Sequence, residues 1–127
     1  MIQEYLMDKG KEVAPHLTWT VDFYSNPIDT GTVFYEGGTP GNKNSEVHIR
    51  YPQYMFYIRT KNWSEAEVVS HRLYKILHLS SVDRVYVPEL DISYRVFLME
   101  ANEPIRLGVI DDVMVYSLNL QVNLKEE

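Results

Sequence analysis

The chain is expected to fold as an α+β protein: a mainly antiparallel sheet with one major helix (64–79) and a short N-terminal helix packed on one face. Three observations carry that expectation. Residues 64–77 have helical periodicity, with Ala66, Val69, Leu73, Ile76 and Leu77 forming a single stripe at i, i+3, i+7 spacing. Residues 113–124 alternate instead, with Met114, Tyr116, Leu118, Leu120, Val122 and Leu124 on one face and Ser117, Asn119, Gln121 and Asn123 on the other. A strand with one wet face belongs in an antiparallel sheet. The aromatic segment 54–60 runs straight into the helix, so strands precede and follow the helical stripe and the helices share one face.

The elements follow in order. Residues 2–11 place Ile2, Tyr5, Leu6 and Lys9 on one helical face, with Gly10 as the expected stop. So short a helix needs docking to persist. Residues 18–24 alternate, with Trp19, Val21 and Phe23 pointing one way. Ser25-Asn26-Pro27 and Asp29-Thr30-Gly31 carry turn chemistry, and 32–36 is a short β-branched and aromatic strand. Residues 37–45 hold three of the six glycines and almost nothing apolar, which predicts a mobile loop. A strand resumes near Val47 and is expected to break or bend at Pro52, which has no N–H to donate.

Ser64 and Glu67 have the spacing of a capping box at the start of the major helix. Glu65 near its start and Arg72 and Lys75 toward its end suit the helix dipole, and Ser80-Ser81 ends it. Residues 82–87 are a strand or extended link before Pro88, 92–100 a strand, and 101–107 a connection containing Pro104. Asp111-Asp112 marks a turn before the long final strand.

Composition narrows the class. The 127 residues suffice for one domain (1–127), and 45% hydrophobic with 24% charged residues is the balance of a soluble globular protein. Ten of the sixteen aromatics (ten Tyr, four Phe, two Trp) are tyrosines, a residue suited both to half-buried strands and to wet-edged protein interfaces. With no cysteine, disulfides and thiolate metal sites are excluded. The first nine residues carry acids and no apolar run of the signal-peptide type, and nothing approaches the roughly 18 apolar residues of a membrane span. The protein is therefore expected inside the cell that makes it, without a membrane partner. A net charge of −6 argues against gripping DNA by its phosphates.

Catalytic and cofactor signatures were sought in the same residues. Gly37-Gly38-Thr39-Pro40-Gly41-Asn42-Lys43 lacks the Gly-Lys-Ser/Thr ending and the following helix that a phosphate loop requires. Of His16, His48, His71 and His78, only His71 and His78 can share a helix face, and no third ligand stands at metal-binding spacing. Asp111 and Asp112 would point to opposite faces of a strand, and no nucleophile elbow is present. The expectation is a protein without catalytic residues, metal or cofactor, whose surfaces do the work.

Three blocks, in order, carry a resemblance. The first runs from Tyr24-Ser25-Asn26-Pro27 through Phe34-Tyr35-Glu36-Gly37-Gly38-Thr39-Pro40, the second from Pro52 to Arg59 with the helix that follows. The third joins Glu103-Pro104, Leu107-Gly108, Asp111, Tyr116-Ser117 and Asn119. In these the chain resembles the tail terminator (minor capsid, or tail-completion) proteins of long-tailed bacteriophages. The resemblance implies a mixed α/β subunit that forms a hexameric ring on the head-proximal end of the tail tube. Such a ring ends tube polymerisation, docks the head connector and lets DNA pass through its centre without specific binding. The partners implied are further copies of the chain, the tail tube protein and the head connector protein, and the location is the virion.

Tyr35, Gly38, Pro40, Lys43, Tyr51 and Tyr54 are the candidate assembly residues, because the glycine-rich loop and the aromatics flanking it are the expected contact surface. Two other readings stand beside this one: a head–tail connector or baseplate component of similar fold, and a small module that binds a ligand between sheet and helix.

Overall fold

A computed structural model of the chain describes residues 2–23, 28–39 and 49–127. Two helices, α1 (Gln3–Val13) and α2 (Trp63–Leu77), accompany seven strands: β1 (Thr18–Val21), β2 (Thr30–Thr39), β3 (Tyr51–Thr60), β4 (Ser80–Val87), β5 (Ile92–Ala101), β6 (Ile105–Ile110) and β7 (Val113–Glu126). The strands form one curled sheet in the order β1-β2-β3-β7-β5-β4, with β6 also pairing β7. All pairings are antiparallel except β1 with β2, which is parallel. The α+β expectation holds, and both helices cover the same face.

The core lies between that face and the helices. β3 contributes Tyr54, Phe56 and Ile58, opposite Leu120, Leu118 and Tyr116 of β7 in register, all six buried. From α2 come Ala66, Val69, Leu73 and Leu77, from α1 Leu6, and from the residue before α1 Ile2. The buried stripe of α2 also includes Ser70, whose hydroxyl donates to the Ala66 carbonyl at 2.8 Å. This rotates the stripe toward position 70 and leaves Ile76, expected inside, 45% exposed.

The helix ends depart from expectation. Helix α2 starts at Trp63 behind an extended Asn62 and stops at Leu77, two residues before position 79. The capping box is not formed, because Ser64 Oγ donates to Asn62 Oδ1 at 2.9 Å instead of reaching backbone N–H groups. In α1, Gly10 is interior and not a stop, and the helix continues to Val13. The reason is steric. A Cβ on Gly10 or on Gly31 of β2 would lie 2.4 Å from the Trp19 ring, so the indole occupies the space that both glycines leave empty. Trp19 Nε1 donates to the Ala14 carbonyl at 2.8 Å, and the ring meets Phe56 edge-on at 6.3 Å.

Three strand expectations change. β1 ends at Val21 because Asp22 turns out of the strand at φ 65°, which leaves Phe23 64% exposed. β2 runs on through Gly37 to Thr39 and pairs with β3, with a bulge at Glu36; the rest of the expected mobile loop lies outside the described residues, as does the strand start near Val47. Pro52 does not break β3. The backbone of Arg50 exchanges both hydrogen bonds with Leu124, and regular β3–β7 pairing begins at Gln53. Two residues after Arg50, the missing proline N–H faces β7, so it removes one rung there while pairing with β2 continues at Gly38. Residues 105–110, of which 105–107 are expected to belong to a connection, form β6. Its hairpin to β7 turns through Asp111 and Asp112, with φ 52° and 65°, the two-residue turn with both central residues left-handed.

Two substitutions test this packing. Leu73→Asp places an unpaired carboxylate under α2 and is expected to cost more than about 4 kcal/mol, enough to unfold the protein. Native-like melting of that variant would mean that the helix face is misplaced. Gly10→Ala gains helix propensity but overfills the Trp19 site, with an expected net loss of about 1–3 kcal/mol in chemical denaturation. A gain in stability would show that the indole can move aside.

Candidate assembly surfaces

The described contact candidates share one β2–β3 ladder, Tyr35 opposite Tyr54 and Gly38 opposite Pro52 beside Tyr51, and differ in exposure. Tyr35 lies on β2, 40% exposed, with its ring 5.4 Å from that of Tyr54 and its N–H donating to Asp22 Oδ1 at 3.3 Å. Tyr51 begins β3, half-buried, and Gly38 pairs with Pro52 through the backbone. Pro40 and Lys43 lie outside the described residues. Tyr54 is corrected: it is fully buried, and its hydroxyl accepts from the Ile2 N–H at 3.3 Å. Alternation puts it on the core face of β3 with Phe56 and Ile58, so it ties the N-terminus to the sheet and offers no surface to a partner. Burial pushes its phenol well above the ordinary tyrosine range.

A run of exposed apolar residues lies on β6, where the sequence predicts a connection as far as Leu107. On β6, Ile105, Leu107, Val109 and Ile110 are each between 42% and 48% exposed, beside an exposed Arg106. β6 pairs with β7 on one edge, and among the described residues no strand pairs with the other. A bulge at Leu107 and a left-handed Gly108 (φ 105°) bend it. The alternation Ile105-x-Leu107-x-Val109 ahead of Asp111-Asp112 was the available signal, but Pro104 and Gly108 on either side of Leu107 obscured it.

The sheet's outer edges are not alike. β4 has two register shifts and carries exposed Asp83 and Arg84, features that blunt an edge against pairing. β1 is four uncharged residues. The curl brings the far ends of these two strands toward each other across the N-terminus of α1. Gln3 Nε2 donates to Asp22 Oδ1 at 2.7 Å beside β1, while Ile2 and Tyr5 line a small cavity with Val85 and Val87 of β4. The seam left between the edges is an open cleft of about 270 Å³, lined by Val21, Val87 and Leu90 with Gln3, Glu4 and Glu89.

The opposite face of the sheet is wet around its middle. A cleft of about 300 Å³ is lined by Gln53, Asn102, Asn119 and Gln121 with the carboxylates Glu36 and Glu100. It is a hydrogen-bonding surface of amides and acids. His78, which follows the last residue of α2, is used structurally: its Nδ1 accepts from the Ala101 N–H at 3.1 Å, and its ring stacks on Tyr74. Among the described residues no group of three or more His, Asp or Glu side chains is placed to hold a metal ion.

No family model and no curated protein matches the chain. Among solved structures, the fold is similar to a chain of the "virion of native gene transfer agent (GTA) particle". The TM-score is 0.61 at 10% identity, over 91% of this chain and 84% of that one. At that identity the likeness is one of fold.

Tyr54→Phe is expected to leave Ile2 N–H unpaired and to cost about 1 kcal/mol by thermal or chemical denaturation. The raised phenol pKa favours the folded state below the ordinary tyrosine pKa, and this contribution is lost as pH rises above about 10. The variant should therefore lose less stability than the parent between neutral and strongly alkaline pH. An equal alkaline loss would exclude Tyr54 as its source.

Proposed function

We propose that the chain is a tail terminator: a non-enzymatic virion subunit that closes into a ring on the head-proximal end of a tail tube. The observation that carries this reading is the fold shared with a virion chain across nearly the full length of both. The three ordered sequence blocks select the terminator role among virion parts. The exposed arm of β6 and the acid-rimmed seam supply distinct surfaces, as head-to-tail ring closure demands. A charge of −6 per subunit, repeated around a hole, would repel DNA and let it slide through. The tube protein, the head connector and further copies of the chain are the partners in this reading.

The test is electron microscopy of the tail tube protein from the same genome, polymerised with and without this chain. Six-fold rings at one end of shortened, length-limited tubes are the expected result. Tubes of unchanged length with bare ends would overturn the terminator role. Rings that bind the portal end of heads and ignore tubes would favour the connector reading.

A further inference from the structure

We propose, resting on the ring reading above, that the β6 arm of one copy seats in the seam cleft of the next, so that Arg106 meets Glu4 and Glu89. Both halves of the contact are on the same chain and differ in character. Between Ile105 and Ile110 the arm presents four exposed apolar side chains, one arginine and no acid. The cleft is lined by Val21, Val87 and an exposed Leu90, with Gln3 and the exposed glutamates Glu4 and Glu89.

Charge selects the occupant. Two copies carrying −6 each repel over most of their surfaces, so a second copy binds only where its local charge is neutral or positive. Within the arm the one charge is the Arg106 cation, set between exposed Glu103 and the Asp111-Asp112 turn, and it matches the glutamates of the seam. Arm-to-arm pairing would instead set Arg106 near Arg106.

Geometry selects a head-to-tail contact. The arm lies beside Val113–Ser117 at the start of β7, whereas Ile92, next to the cleft, lies beyond the level of Glu126 at its end. Nine residues of strand, from Ser117 to Glu126, separate those levels, about 30 Å along the chain. Made once per pair, arm of one copy to seam of the next, such a contact generates a ring or a filament.

The chain has no cysteine, so engineered thiols report without background. Two singly substituted proteins, Leu107→Cys and Leu90→Cys, are mixed at high concentration with a short bis-maleimide. The expected product is a crosslinked dimer containing one of each. Arg106→Glu should lower its yield at least about tenfold, and adding Glu4→Lys and Glu89→Lys to the same chain should restore it. These positions are exposed, so circular dichroism should show all variants folded. A Leu107–Leu107 product, no mixed product at any concentration, or a yield indifferent to charge reversal would each overturn the contact. The mixed product from a protein that fails to cap tubes would keep this contact and discard the terminator role. Capping without the mixed product would do the reverse.

Discussion

Everything in this fold depends on β7 being hydrogen-bonded along both edges. β3 occupies one edge from Met114 to Gln121, with an outlying bridge from Leu124 to Arg50. The other edge is shared end to end, by β6 from Val113 to Ser117 and by β5 from Leu120 to Glu126. A slip of one residue in β7 would turn its whole apolar set away from the helices, so the alternation that buries Leu118, Leu120, Val122 and Leu124 also fixes the register of three neighbours. Division of one edge between two strands is what frees β6. A strand that pairs over so short a length of β7 carries its outer edge and both faces into solvent.

Much of this was legible because the signals were periodic and long. The α2 stripe, the aromatic β3, the alternating β7 and the Asp111-Asp112 turn each repeat or punctuate a local pattern, and local patterns survive translation into structure. The misreadings have a common physical origin in tertiary contact. Gly10 looks like a helix stop until an indole from another element needs the room beside it. Tyr54 looks like an interface residue until the N–H of Ile2, 52 positions away, comes to its hydroxyl. Ser64 and Glu67 have capping spacing, yet Asn62 takes the Ser64 hydroxyl first.

The candidate surfaces were less legible than the fold. The arm shows as a weak alternation interrupted by Pro104 and Gly108, and only its place at a free edge gives it meaning. The seam has no local signature at all. Glu4, Val21, Val87 and Leu90 come from widely separated stretches and meet because the sheet curls. Tyrosine abundance, which drew attention to interfaces, serves the interior as much: Tyr54 and Tyr94 are among the largest fully buried side chains.

The parallel pairing of β1 has a consequence of its own. β1 is hydrogen-bonded to the sheet through β2 alone, and its further anchors are the Trp19 ring between two glycines and against Phe56, the Trp19–Ala14 bond, and the α1 segment with Ile2 on Tyr54 and Gln3 on Asp22. Lifting residues 2–21 away would leave six strands and α2 with their mutual pairing intact. The N-terminal sixth of the chain is thus a unit held at one strand edge and by the buried Ile2, Leu6, Ala14 and Leu17, and its opening would expose core. Because one wall of the seam belongs to that unit, a neighbour bound there would hold it shut, and assembly would harden the subunit without altering its shape.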